Sequence, residues 1–149
     1  MKHTIDNSMQ FNIQTSDQLT RNVTPLLHEV KHALENLINN NQTATIDLRS
    51  IPLAPGEEDT ILNSLGCGEV QAELNALGLS EIYETTYTGV WIVSHFNDDN
   101  ELIGRFIEIT TMPEILRSQD EDILNAYHRL NERLEDNQQT KESMVEKVS

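Results

Sequence analysis

The segment from Gly68 to Thr110, GEVQAELNALGLSEIYETTYTGVWIVSHFNDDNELIGRFIEIT, decides the fold. Its apolar residues recur with a period of two, which is typical of β-strands that bury one face. The strands are predicted over 69–74, 81–87, 89–96 and 102–110. A turn with Gly78 and a polar hairpin over 97–100 join them. Such short connections favour antiparallel pairing, because parallel strands need long crossovers.

Upstream of this segment the sequence predicts a long helix, a strand and a short helix. Thr24 can cap the long helix, Pro25 suits its first position, and Asn39 to Asn41 end it. The apolar stripe of this helix consists of Leu26, Leu27, Val30, Ala33, Leu34, Leu37 and Ile38. The strand covers 44–48, and the short helix covers 57–65 and ends at Gly66.

Downstream of Pro113, Ser118 can cap a last helix. One side of this helix carries Ile123, Leu124, Tyr127, Leu130 and Leu134. We therefore predict an α+β fold with a mixed, mostly antiparallel sheet of four to five strands. We expect three helices beside this sheet: two longer ones that pack on it, and one short one. The predicted organisation is a flexible arm over 1–20, a single domain over 21–136 and a flexible polar tail over 137–149.

The composition excludes several classes of function. A chain of 149 residues with a net charge of −15 repels phosphate backbones, so no nucleic-acid partner is expected. No apolar run approaches bilayer length and the first residues lack a secretory signal, so no membrane association is expected. Cys67 is the single cysteine and cannot form an internal disulfide. We therefore expect a cytoplasmic protein.

The sequence His28-Glu29-Val30-Lys31-His32 matches the H-E-x-x-H pattern of zinc peptidases. Two histidines one helical turn apart could share a zinc ion, with Glu29 as the general base. However, the apolar stripe is centred near Val30, so both histidines fall on nearly the opposite face. We expect two solvent-facing histidines and retain a zinc-dependent hydrolase as an alternative hypothesis.

Two glycines bracket the cysteine in Gly66-Cys67-Gly68-Glu69. Glycine lets another backbone or a ligand come close, and a thiolate in an exposed loop can bind a soft metal. The alternative is structural: Gly66 ends the short helix, Gly68 forms a tight turn and Cys67 is incidental.

Acidic residues recur within the predicted strands. Glu84 and Glu108 lie mid-strand, where a carboxylate is disfavoured unless it faces water or a partner. Together with Glu69 they can line one polar face of the sheet. Trp91 suits the core, and alternatively an interface, where tryptophan is enriched. Paired carboxylates can act as a general acid and a general base, but the sequence does not fix the distance between these residues.

The middle of the chain resembles the C-terminal conserved region of hydrogenase expression/formation proteins of the HupH type. The resemblance covers about residues 43–135. It rests on Ile46-Asp47-Leu48 with Pro52, Leu65-Gly66-Cys67-Gly68-Glu69-Val70, Ile82-Tyr83-Glu84-Thr85, Gly89-Val90-Trp91, Ile107-Glu108-Ile109 and Met112-Pro113-Glu114-Ile115.

This resemblance implies a non-enzymatic scaffold or chaperone in the maturation of nickel–iron hydrogenase. The implied partners are the immature hydrogenase large subunit and other maturation proteins. No intrinsic cofactor is implied, only a transient hold on the Fe(CN)2(CO) fragment, with Cys67 as a candidate ligand. The implied contact residues are Gly66, Cys67, Gly68, Glu69, Glu84, Trp91 and Glu108. A third hypothesis is a purely structural oligomerisation module.

Longer members of the family carry two related copies of this unit, whereas this chain holds one. We therefore expect it to pair with itself as a homodimer. Two further differences concern single residues. The residue between the two loop glycines is not reserved for cysteine in the family, and Ile92 stands where a basic residue is expected.

Overall fold

The structure is a computed structural model that describes residues 21–148, so the predicted arm 1–20 lies outside the described residues. The helices are α1 (Val23–Asn40), α2 (Glu57–Leu65) and α3 (Asp120–Val148). The strands are β1 (Ala44–Asp47), β2 (Gln71–Ala76), β3 (Gly78–Glu84), β4 (Val90–Phe96) and β5 (Leu102–Ile109). The chain divides into two compact units, the first ending at Pro113 and the second beginning at Glu114.

The first unit is built on one five-stranded sheet. Its strand order is β1-β5-β4-β3-β2, and every neighbouring pair is antiparallel. The α+β class is confirmed. The parallel pair that a mixed sheet requires does not occur among the described strands, because β1 lies beside β5, with Ala44 opposite Ile109, rather than beside β2.

Helices α1 and α2 pack on one face of this sheet, which we call the covered face. The core contains apolar residues from both helices, from strands β1, β4 and β5 and from the 3₁₀ turn Leu48–Ser50 that follows β1. Its buried members are Val23, Leu26, Val30, Ala33, Ile46, Leu48, Ile61, Leu65, Val90, Ile92, Ile107 and Ile109. Burial of each large side chain contributes about 1.5–3 kcal/mol, so this layer dominates the stability of the unit.

The start of α1 differs from the prediction. The helix begins at Val23 with Asn22 in the N-cap position, so Thr24 lies inside the first turn with Pro25. The Asn22 side chain does not cap the helix and instead donates to Glu57 Oε2 at 2.9 Å. Asn41 adopts the left-handed conformation at φ 52° and ends the helix where the asparagine run predicts.

The turn between β2 and β3 is shorter than predicted. The two strands pair as far as Ala76 opposite Gly78, so Leu77 alone forms the tip. Gly78 has φ +120°, and a Cβ there would lie 2.4 Å from the Phe96 carbonyl oxygen. Only glycine fits this position, which lets both strands run on to the tip.

The second unit consists of the short 3₁₀ turn Glu114–Leu116 and α3. Within this unit α3 contributes no buried residue, and Leu130 and Leu134 are 59% and 54% exposed. The packing of this helix on the sheet stays a prediction. The polar segment predicted as a flexible tail is helical as far as Val148. The physical reason is its content of strong helix formers such as Gln, Lys, Glu and Met. Within residues 21–148, no helix combines the length and the apolar character that crossing a bilayer requires.

Candidate functional site

The glycine loop, residues 66–69, connects the end of α2 to β2. Gly66 ends α2 with φ +69°, and its N–H donates to the Leu62 carbonyl at 2.9 Å. A Cβ at Gly66 would lie 2.8 Å from Thr86 Cγ2. Gly66 is therefore the C-cap that the structural alternative predicted.

Gly68 ties the loop to the end of β3. Its N–H donates to the Glu84 carbonyl at 2.7 Å, and a Cβ there would lie only 2.6 Å from the Thr85 carbonyl oxygen. The sequence predicted that another backbone or a ligand comes close to these glycines. At Gly68 this neighbour is the backbone of Glu84 and Thr85 in the same chain. The loop is therefore held in place rather than left open for a ligand beneath it.

Cys67 is exposed between these two anchored positions. It lies close enough to Tyr83 to affect the phenol: burial raises the pKa of Tyr83 above its ordinary 10.0, and the Cys67 charge raises it further. Arg105 acts in the opposite direction and lowers the pKa of Tyr83. The thiol thus lies beside polar groups of the covered face and remains accessible to solvent.

Arg105 joins the sheet to α2 on this face. Its Nε donates to Ser94 Oγ at 2.9 Å, and its NH1 group donates to Glu58 Oε1 at 2.8 Å. Neither Arg105 nor Glu58 is fully exposed, so this ion pair is screened less than a surface pair. This contact could not be predicted from the sequence, because it joins two elements that lie far apart along the chain.

Glu84, Trp91 and Glu108 form a cross-strand row, in which Trp91 is the register partner of both Glu84 on β3 and Glu108 on β5. Since side chains alternate along strands, this row faces away from Val90 and Ile92 and thus away from the covered face. Glu84 also has a structural contact, because its Oε1 accepts the Gly89 N–H at 3.0 Å. The structure therefore brings three of the candidate residues together on one face.

Glu69 does not belong to this row, contrary to the expectation. The ladder pairs Gln71 with Tyr83, and the Glu84 N–H donates to the Val70 carbonyl at 2.9 Å. Val70 is therefore the neighbour of Glu84, and Glu69 is one residue out of phase. The strand starts at Gln71, so the alternation predicted from residue 69 includes two loop positions, Glu69 and Val70.

Trp91 is buried, with 5% of its surface exposed. Its Nε1 donates to the Thr110 carbonyl at 3.1 Å. Satisfied in this way, the indole suits a core position better than an open interface.

A polar group that was not among the predicted site residues continues the same face beyond Trp91. His95 Nδ1 lies 2.8 Å from Ser80 Oγ, and its ring makes an edge contact with Phe106 at 5.8 Å between centroids. Burial raises the pKa of Glu108 above its ordinary 4.5, while the nearby His95 lowers it. Side chains alternate along β4, so His95 lies on the same face as Trp91. This placement could have been predicted from the period of two in the sequence.

An apolar groove lies next to the glycine loop, with a volume of about 280 Å³. It is formed by α1, the last residues of α2 and the β3–β4 turn. Its lining residues are Leu27, Val30, Lys31, Leu34, Ser64, Leu65 and Tyr87. Tyr87 is 54% exposed and follows Thr86, which bonds the Leu65 carbonyl. The groove and the loop therefore form one continuous surface.

The histidine pair of α1 faces solvent, as the position of the apolar stripe predicts. His28 and His32 are both exposed, and His32 Nδ1 lies 3.7 Å from Glu35 Oε2. Across residues 21–148 there is no group of three His, Cys, Asp or Glu side chains placed to hold a metal ion. A zinc site there would need ligands from outside the described residues.

The first unit is thus a small α+β module with two helices on one face of an antiparallel sheet and a tied loop beside an apolar groove. Comparison with protein families makes the assignment specific, because residues 20–136 match the C-terminal conserved region of the HupH hydrogenase expression protein. The chain belongs to this family. The predicted resemblance is confirmed.

A solved structure and several curated proteins are similar to the chain. The hydrogenase expression protein HupH from Thiobacillus denitrificans superposes with a TM-score of 0.75 at 36% identity, covering 77% of this chain and 96% of that one. The hydrogenase expression/formation protein HoxQ of Azotobacter vinelandii is 30% identical over 58% of this chain and 31% of its own length. HupH of Rhodobacter capsulatus is 35% identical over 60% of this chain and 34% of its own length. The chain thus spans about a third of these curated relatives.

Proposed function

We propose that this chain is a non-catalytic accessory protein of nickel–iron hydrogenase maturation that docks on the immature large subunit. Its membership of the HupH family supports the pathway, and its curated relatives are named hydrogenase expression/formation proteins. In this proposal the chain acts by binding, in the cytoplasm, alongside other maturation proteins.

The observation that carries the proposal is the loop–groove patch, which comprises the glycine loop, Tyr87 and the apolar groove. Cys67 and Glu69 are exposed at one side of the patch, and Tyr87 is exposed at the other. The loop is fixed by backbone hydrogen bonds, so little conformational entropy is lost when a partner binds. An apolar groove with a tyrosine at its rim suits a buried anchor from a partner protein, and Glu69 suits a basic residue beside it.

Capture by a tagged immature large subunit tests this surface. We expect a Glu69→Gln, Tyr87→Ala variant to be captured at least tenfold less than wild type, because it loses an anchor and a charge of the patch. Both side chains are exposed, so the fold is preserved. The matched control is Glu73→Gln, Leu77→Ala, which makes the same two kinds of change on β2 and at the exposed β2–β3 tip. Equal capture of the two variants would rule out the patch as the docking surface.

The proposal extends to the Fe(CN)2(CO) fragment as a transient cargo. Cys67 would supply one thiolate, a soft ligand suited to this iron centre, from an exposed position. If so, wild type isolated with the cargo shows infrared bands of iron-bound cyanide and carbonyl, and Cys67→Ser loses them. If Cys67→Ser keeps the bands, Cys67 is not the ligand. If capture occurs without any bands, the docking role stands and the cargo role fails.

A further inference from the structure

Helix α3, 29 residues long, exposes an apolar stripe near each of its two ends, with a polar stretch between them. Each member of the stripe exposes more than half of its surface. The stripe consists of Ile123, Leu124, Tyr127, Leu130, Leu134, Met144, Val145 and Val148. Helices gain most of their stability by packing such a stripe against another surface. The stripe is therefore a surface on which another helix can pack.

The spacing of the stripe is that of a coiled coil. Ile123, Tyr127, Leu130 and Leu134 are separated by four, three and four residues. Continuing the same alternation gives Asn137, Lys141, Met144 and Val148. This is a heptad seam of nearly four repeats, with two polar positions in its second half. A helix with the same seam is the occupant that fits such a surface, and a second copy of this chain supplies one.

The two polar positions select the direction of that second helix. In a parallel pair every residue meets its own copy, so Lys141 would face Lys141 in the seam, where like charges repel. In an antiparallel pair with Leu134 opposite Asn137, each seam residue meets a different type. Leu130 then lies opposite Lys141, whose long stem can pack while its ammonium reaches water.

The remaining positions agree with the antiparallel register. Tyr127 then lies opposite Met144, and Ile123 lies opposite Val148. The apolar residues near the N-terminus of one helix therefore pack against those near the C-terminus of the other. The flanking positions match as well, since Leu124 meets Val145 of the other copy.

The charges at the helix ends point the same way. The first turn of α3 holds Asp120, Glu121 and Asp122, and the last turn holds Lys147. Because the last turn also holds Glu146, its side-chain charges cancel. Antiparallel pairing therefore matters by keeping the two acidic first turns apart, and it opposes the two helix dipoles. We infer that α3 is the dimerisation element of this protein and pairs with α3 of a second copy in antiparallel orientation.

Sedimentation of the full chain tests the pairing. Wild type at micromolar concentration is expected at twice the chain mass of 17.0 kDa, and Leu130→Asp, Leu134→Asp at the monomer mass. The control Asn125→Asp, Gln139→Asp adds the same two charges to the opposite side of α3 and is expected to remain dimeric. The mutated leucines are exposed in one copy, so the fold is kept. A monomeric wild type, or a dimer that survives the leucine changes, would overturn the inference.

Cross-linking tests the orientation. In a Cys67→Ser background, Tyr127→Cys and Met144→Cys proteins are oxidised separately and as a mixture. Antiparallel pairing places the two copies of position 127 about 25 Å apart along the axis, so only the mixture cross-links. Cross-linking of each protein with itself would show a parallel pair and overturn the antiparallel register. The large-subunit capture uses different residues, so the proposed function can fail or stand independently.

Discussion

At the residue scale, two glycines determine where Cys67 lies. Gly66 turns the chain out of α2 and Gly68 presses it against the end of β3. A side chain at Gly68 would collide with the Thr85 carbonyl, a backbone atom that cannot rotate away. The rigidity of the loop thus follows from the absence of a side chain at Gly68.

Gly68→Ala tests this directly. We expect the substitution to lower the free energy of unfolding by roughly 1–3 kcal/mol, because the added Cβ forces the loop off β3. Urea unfolding followed by tryptophan fluorescence measures it. Cys67→Ala, one residue away and exposed, is the control and should change stability by about 0.5 kcal/mol or less. Equal midpoints for the two variants would show that the loop is not held in this way.

Glu108 gives a pH-dependent prediction at the same scale. Burial raises the pKa of its carboxyl in the folded state, so the ionised form is disfavoured there. The protonated form carries no such penalty, and the stability it provides is lost as pH rises through the raised pKa. We therefore expect Glu108→Gln to exceed wild type in thermal stability at about pH 7, with the difference shrinking towards ~pH 4. A constant difference across this range would contradict the shift.

At the scale of elements, a buried carboxylate joins α2 to the residue before α1. Glu57 is 1% exposed and accepts hydrogen bonds from Asn22 Nδ2 at 2.9 Å and from the Ala54 N–H at 3.0 Å. In the sequence, Glu57 is one of three acids that suit the positive N-terminal end of α2, which does not distinguish it from Asp59. Only the tertiary contact with Asn22 gives it a separate role.

Glu57→Ala is therefore expected to destabilise the fold by about 1–3 kcal/mol, because it removes a buried charged acceptor that two part-buried donors share. The control is Asp59→Ala, which removes an exposed carboxylate from the same helical turn. Any loss from the helix dipole is common to both variants, so the difference between their urea midpoints reports the buried contacts. Equal losses would assign the effect of Glu57 to the dipole.

The elements of this chain differ in how far sequence could predict them. Helix α2 has the predicted bounds, because acids mark its first turn and a glycine marks its end. The β2–β3 turn was placed too broadly, since the alternation alone does not show that Gly78 fits beneath the Phe96 carbonyl. The stripe of α3 was identified correctly, but a periodic pattern does not reveal what surface it packs against.

At the scale of the whole molecule, the fold class could be predicted from local sequence patterns, whereas the strand order depends on pairing between distant segments. The short turns of the meander predicted antiparallel strands, and the structure has them. The partner of β1 could not be predicted, because it depends on pairing with a strand at the far end of the unit. The same holds for the glycine loop. The helix end at Gly66 was predictable from the sequence, whereas the face on which Glu69 lies depends on the observed strand register.

The pairing of β1 with β5 has a consequence for synthesis. Ala44 leaves the ribosome long before its partner Ile109 has been translated, whereas β3, β4 and β5 each closely follow a strand with which they pair. Closing the longer span costs more chain entropy, so the hairpins have the advantage in time and in energy. Strand β1 is thus the first strand to be synthesised and the last to pair. A nascent chain interrupted before β5 lacks the strand with which β1 pairs.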